Sequence, residues 1–484
     1  MVCFYKKIIK KVQENQSRSA IPMLLVVLLA ACGSVPKPDL NANAPSAWRN
    51  HLASSSTQNT ALWWTALKDP VLNDAVDLAL KNNLSVAQSY ERLNAERALE
   101  KATIASQKPR FGFYFGPNSS VAFANYRSST AYIIGFDVTW ELPYTSKNEG
   151  QRQMAKANVD MASAGMVGAN ASIAAEVVRV YGELRAADQK VLAVKKMVAY
   201  QQAIVEMHER AEAVGGSSQQ EVMQVRSRLF ELQSALSDVQ LVREAALQRL
   251  DVLCGLNAPL QHWLGLSEMP WKLERSQIAA FAVPADLIME RPDVQAAISS
   301  VMRAAGQVGV AEAELYPRIG LEGAVYYSGT LIKNGSTAKD GLLNFLAPNL
   351  RLPLYDWGMA RAQKNASEAA LRGAILGYRE TVLQAVADTE IAMANFNAMD
   401  ERIVRTAQEA VSLEQAAERN KQGLQAGYLS PLDAFSGNIK LLERKLANVD
   451  DQSLWLTAFA AANKAQTNMS AARPRLNEQA AATK

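Results

Sequence analysis

Apolar positions recur along this chain with two different periods, and the changes of period divide it into elements. Leu371, Ile375, Tyr378, Val382, Ala385, Thr389, Ala392, Phe396, Met399 and Ile403 follow one another at steps of four and three. Ala410, Ala417 and Leu424 extend the seam at seven-residue steps. Sustained spacing of this kind is the coiled-coil pattern. No proline lies between Gly358 and Ser430, so nothing forces a break. At 1.5 Å per residue the predicted helix is a rod of roughly 100 Å. Gly427 suits the left-handed residue that ends it. Ser430 is a good N-cap for the next helix, Pro431 a good first residue and Asp433 its N3 acid. Leu432, Phe435, Ile439, Leu442, Leu446 and Val449 then resume the same spacing. Residues 357–465 therefore predict an antiparallel hairpin of two very long helices.

Elsewhere the period is two. From 132 to 142, Tyr132, Ile134, Phe136, Val138, Trp140 and Leu142 share one face, and Ile133, Gly135, Asp137, Thr139 and Glu141 the other. This is a strand with one apolar and one mostly polar face. About ten residues suit a tilted membrane-spanning strand. A surface strand on a soluble core fits the same letters, and this strand alone does not choose between them. Just before it, Phe111, Phe113 and Phe115 alternate with Gly112, Tyr114 and Gly116.

In chain order these elements occur twice. Trp63-Trp64 and Asp69-Pro70 lead into a helix through Leu72, Val76, Leu80, Val86, Tyr90, Leu93 and Leu99, which ends before Pro109. After the two strands, a long helix from about Asn148 passes Val159, Val177, Tyr181, Leu184 and Ile204 to a turn at Gly215-Gly216-Ser217-Ser218. Ser218 with Glu221 forms a capping box, and the next helix reaches Leu253. The second copy has a helix over 287–315 with Arg291-Pro292-Asp293 near its start. A strand follows Tyr316-Pro317, with Ile319, Leu321, Val325 and Tyr327 on one face. Leu346, Leu350, Leu352 and Leu354 alternate in another, and the long hairpin closes the copy. The turns correspond residue for residue: Gly215 with Gly427, Ser218 with Ser430, Glu221 with Asp433. The chain is an internal duplication. Its predicted organisation is a signal peptide at 1–31, an extended tether at 32–60, a first repeat at 61–256, a connector at 257–284, a second repeat at 285–470 and a disordered tail at 471–484.

Four strands cannot close a barrel, for which about eight are needed. If they face lipid, their edges must pair with further copies of the chain. The predicted fold is mainly α with membrane β: duplicated coiled-coil hairpins, plus four strands that each copy contributes to a shared barrel.

Charge sharpens this reading. Residues 1–31 hold Lys6, Lys7, Lys10, Lys11 and Arg18 against Glu14, which accounts for the whole formal charge of +4. The remainder is neutral, which argues against nucleic-acid binding. Basic residues, the apolar run 21–30 and Leu29-Ala30-Ala31-Cys32 have the three-part form of a secretory signal. Followed by Gly33 and Ser34, they also resemble a bacterial lipobox, in which Cys32 carries lipid. A plain signal with an incidental cysteine is the alternative. Cys254 sits between apolar neighbours and reads as a small core residue. His51, His208 and His262 are scattered without metal-ligand spacing, and no phosphate loop or nucleophile elbow is present. No enzyme, cofactor or metal site is predicted.

The lipobox, Trp63-Trp64 with Asp69-Pro70, Arg291-Pro292-Asp293, Tyr316-Pro317, Pro353-Leu354-Tyr355-Asp356-Trp357-Gly358 and the Gly-Tyr-Leu-Ser-Pro-Leu-Asp turn at 427–433 together resemble the outer membrane factor family. These are the TolC- and OprM-like exit ducts of tripartite efflux pumps. The resemblance runs from Cys32 to about Ala465 and departs locally at 140–145. It implies a homotrimer, a twelve-stranded barrel in the outer membrane and an α-helical tunnel in the periplasm. It also implies a periplasmic adaptor and an inner-membrane resistance-nodulation-division pump as partners. The two turns, with Gly215, Ser218, Glu221, Gly427 and Ser430, become adaptor-docking tips.

In the family's lipoprotein branch a Leu and an Asp four apart narrow the periplasmic end, and Leu429 and Asp433 match them. Three Asp433 carboxylates around an axis repel one another unless hydrated or cation-bound, and three Leu429 side chains make an apolar constriction. Asp433 reads equally as a helix-start acid, a role compatible with the first. A duct for type I protein secretion shares the fold. A lipid-anchored periplasmic scaffold is a third reading, against which the alternating strands speak.

Overall fold

The computed structural model describes residues 35–41, 45, 48–50, 60–122, 127–258, 263, 265, 288–330 and 341–467. The described elements are a 3-10 helix (Thr60–Leu67), α1 (Pro70–Asn82), α2 (Leu84–Ser106), β1 (Arg110–Ala122), β2 (Arg127–Glu141), α3 (Ser146–Glu212) and α4 (Gln219–Leu253). Then follow α5 (Pro292–Ala313), β3 (Arg318–Thr330), β4 (Gly341–Arg351), α6 (Met359–Gln425) and α7 (Pro431–Ala465). The duplication is visible in the lengths. The long helices α3 and α6 each have 67 residues, and their return helices α4 and α7 each have 35. The hairpin predicted as two very long helices thus has one long and one half-length arm.

The chain forms two units. One contains the described strands. They make a single antiparallel sheet in the order β1-β2-β3-β4, with Phe113 opposite Phe136, Phe136 opposite Val325 and Val325 opposite Asn344. Each strand is joined to its sequence neighbour by a hairpin or a pairing across the repeats, so β2 and β3 bring the two copies of the duplication together. In the same unit the start of α3 lies against α5 where Gly150 faces Gly306. A Cβ on Gly150 would stand 2.5 Å from the Gly306 carbonyl. Ser146 Oγ donates to the Gly309 carbonyl at 2.8 Å.

The second unit has its core where the 3-10 helix and α1 meet α3, α4 and α7. Trp63, Trp64, Leu72, Val177, Leu250 and Phe459 are all buried there. Trp63 meets Phe459 edge-on with centroids 5.5 Å apart, and Trp455 stacks on Phe459 at 5.3 Å. Such pairs add to the burial of large aromatic surfaces. One stretch of α3 is apolar and long enough to cross a bilayer. Val177, Val178, Tyr181 and Leu184 of the same helix are buried in this core.

The predicted seam of α6 is the buried one: Tyr378, Val382, Ala385, Thr389 and Phe396 are all nearly inaccessible. It steps by one residue at Met393, which is buried where Ala392 was expected to lead. The first predicted helix is two, because Asn83 ends α1 and caps α2 by accepting from Ser85 and Val86 N–H groups. The helix expected over 287–315 has its continuous part at Pro292–Ala313. Three described residues of the tether bond to α6. Tyr378 donates its hydroxyl to Leu40 O at 3.0 Å, and Glu390 accepts the Arg49 and Asn50 N–H groups at 2.7 and 3.1 Å. Cys32 and the predicted tail lie outside the described residues.

Candidate functional site

The alternation read between 132 and 142 continues across the whole sheet. Register carries Phe111, Phe113 and Phe115 of β1, Ile134, Phe136 and Val138 of β2, Val325 and Tyr327 of β3 and Leu342 and Leu346 of β4 onto one face. Opposed residues in a ladder point the same way. Phe111 is 82% exposed and Phe136 64%, so among the described residues nothing covers these side chains. The other face carries Arg110, Asp137, Thr139, Glu141, Glu322, Asn349 and Arg351. It also carries Leu343 and Phe345, while Asn344 falls on the apolar side.

The turns behave as their residues dictate. Gly215 and Gly427 have φ of +78° and +76°, a region open to glycine and strained for other residues. Ser218 accepts from Glu221 N–H at 3.2 Å, while the Glu221 carboxylate accepts from Ser218 N–H at 2.8 Å, completing a capping box. These bonds, the Ser218 N–H first and the Ser217 hydroxyl next, hold the Glu221 carboxyl below the usual glutamate range. At the second turn the shorter Asp433 bonds differently. Ser430 Oγ accepts from Asp433 N–H at 3.1 Å and donates to the Asp433 carboxylate at 2.6 Å. Leu429 is half-buried, with its N–H on Gly423 O at 3.1 Å, and Tyr428 beside it is 91% exposed. The two hairpins pack together above their turns. Tyr200 of α3 stacks on Phe435 of α7 at 5.4 Å, and Arg228 of α4 pairs with Glu443 of α7 at 2.5 Å.

Two motifs singled out in the sequence hold helix ends. Asp69 caps α1 through Val71 and Leu72 N–H groups and accepts the Tyr181 hydroxyl at 2.8 Å. Burial pushes the Tyr181 phenol well above its ordinary range. Arg291 pairs with Asp293 at 2.7 Å, and its other nitrogen donates to Thr389 Oγ1 at 3.0 Å and to the last carbonyl of α7, Ala465 O, at 3.3 Å. Burial works to raise the Asp293 pKa, but the guanidinium outweighs it and holds the carboxyl low. Sequence reasoning missed a third group. Asp188, fully buried, bridges Arg185 at 2.9 Å and Arg243 at 2.7 Å, tying α3 to α4. The only signal was two charges three residues apart in an apolar stretch. Among the described residues no cluster of three or more His, Cys, Asp or Glu side chains has metal-binding geometry.

The family model described as outer membrane efflux protein matches residues 75–256 and 283–475. The chain belongs to the outer membrane efflux protein family. The two matched segments fall one on each copy of the duplication. The pyoverdine export outer membrane protein OpmQ of Pseudomonas aeruginosa is 24% identical over 417 residues, 83% of this chain and 86% of that protein. The cation efflux system protein CusC of Escherichia coli is 21% identical over 82% of this chain and 86% of its own. The crystal structure of the Campylobacter jejuni CmeC outer membrane channel shares the fold with a TM-score of 0.78, at 18% identity, over 93% of this chain and 98% of that one. As an outer membrane efflux protein the chain has its place in the outer membrane, and its family members are channels.

Proposed function

We propose that this chain is the passive exit duct of a tripartite efflux system, built as a closed ring of three copies. One observation carries the reading: a four-stranded sheet with an exposed apolar face whose edges, β1 and β4, have no partner strand among the described residues. In lipid, open edges leave backbone groups unsatisfied at several kcal/mol each, so β1 of one copy pairs with β4 of the next. The number three comes from the family resemblance and gives twelve strands. The helices support the same assembly. Phe230, Leu241 and Val252 expose an apolar seam on α4 at eleven-residue steps. That spacing keeps residues on one helix face, and a neighbouring copy is the surface that covers them.

In this reading Cys32 carries the lipid anchor, and Leu429 and Asp433 narrow the periplasmic mouth. The turns at 214–218 and 424–430 dock a periplasmic adaptor, which joins the duct to an inner-membrane pump that supplies the energy. The chain itself catalyses nothing. Purified protein in mild detergent should run as a three-copy oligomer by light scattering and dissociate only on heating. A folded monomer under the same conditions overturns the ring. Charged bulk at both Gly215 and Gly427 should abolish adaptor crosslinking while leaving the oligomer intact, and unchanged crosslinking removes the tips from the docking role.

A further inference from the structure

The polar face of the sheet ends in a cleft of about 360 Å³ at the strand termini nearest the helices, where Arg110 opens β1, Arg318 opens β3 and Arg351 closes β4. Four cations and two carboxylates line it. The carboxylates are partly spoken for: Lys147 holds Glu141 at 2.8 Å, and Asn349 donates to Glu322 at 2.8 Å. Glu314 takes Arg318. Lys108, Arg110 and Arg351 have no carboxylate partner among the described residues, and the register sets Arg351 directly opposite Arg318. Like charges facing each other across a ladder destabilise it, and Glu314 offsets only the Arg318 side of this pair.

We propose that this cleft is a binding site for the oxyanion of an exported small molecule, one bearing carboxylate, sulfonate or phosphate groups. The proposal deepens the duct reading and rests on it. Arg351 and Arg110 stand on the two edge strands, at the same end of the sheet. Where β4 of one copy pairs with β1 of the next, the two guanidinium groups meet at one level, and the ring carries one such pair at each junction. Guanidinium forks match carboxylate and phosphate oxygens in bidentate pairs. Glu322, on the same face, limits the attraction, which suits a site that must release its occupant.

The test is titration calorimetry of the full-length lipoprotein in detergent at low ionic strength, with benzene-1,3,5-tricarboxylate as the probe. Wild type should bind it saturably. Arg110→Gln with Arg351→Gln should weaken binding about ten-fold or more, the factor that losing one charge-assisted pair gives. Arg110→Lys with Arg351→Lys should retain most of it, and Glu322→Gln should tighten it. No saturable binding to wild type, or equal binding to the double Gln variant, overturns the site. Potassium chloride current through the same preparation in planar bilayers reads the duct separately. Binding without current leaves the site standing and removes the duct.

Discussion

At the start of α1 a single carboxylate, Asp69, satisfies two backbone N–H groups and the buried Tyr181 hydroxyl. Asp69→Ala removes a cap worth about 1 kcal/mol and leaves a buried hydroxyl without this acceptor at about 1–3 kcal/mol. The thermal midpoint of the purified protein should fall markedly. Asp69→Asn, which keeps the cap, should cost less, and equal losses from the two variants would discount the cap. At this scale the sequence was most readable where a residue acts on its own neighbours. Gly215, Gly427, Ser218 and Ser430 take the conformations and bonds that their positions imply. The Arg185–Asp188–Arg243 bridge was not readable, because Asp188 and Arg243 lie 55 residues apart and meet only once α3 and α4 have docked.

Among the elements, the strands make the sharpest claim. Phe136 and Asp137 are adjacent in sequence and on opposite faces. Phe136→Arg should cost about 2–4 kcal/mol if its face lies near mid-membrane, whereas Asp137→Arg should fold normally. Oligomer yield in outer-membrane fractions reads both, and the reverse result would exchange lipid and lumen. Period-two patterning was enough to assign these faces, since register only propagates it. It could not assign the edges, which depend on strand order. The tether shows the opposite limit. Its residues have no period, so the sequence suggested an extended tether and could not name its contacts, among them the bonds that Glu390 and Tyr378 of α6 make to its backbone. Burial works to raise the Glu390 pKa, but the Arg49 and Asn50 bonds outweigh it and hold the carboxyl low. A lowered folded pKa gives stability that is present above the ordinary glutamate value of about 4.3 and lost as pH falls through the folded value. Protection of the Arg49 and Asn50 amides, measured against their intrinsic exchange rates at each pH, should therefore hold from about pH 7 to 5 and fall only below about pH 4.3. Release between pH 7 and 5 would show that Glu390 does not hold the tether.

For the whole molecule, the proposed duct is a ring of these chains that conducts, with a periplasmic mouth that is narrow at rest. Leu429 lies in the second turn, just before the cap Ser430, and Asp433 is the third residue of α7. Three carboxylates close together favour cations, and three leucines exclude water. The geometry within one chain already gives Asp433 a capping role through Ser430, so stability alone does not separate cap from gate. Single-channel current in planar bilayers does, for wild type, Asp433→Ala and Leu429→Ala. Wild type should show small, cation-preferring steps blocked by divalent ions. Asp433→Ala should enlarge the steps and relieve the block, and Leu429→Ala should enlarge them with ion preference intact. If Asp433→Ala changes the melting temperature and leaves current and preference as they were, the gate lies elsewhere. If inserted protein carries no current in any of the three, the chain is not a duct.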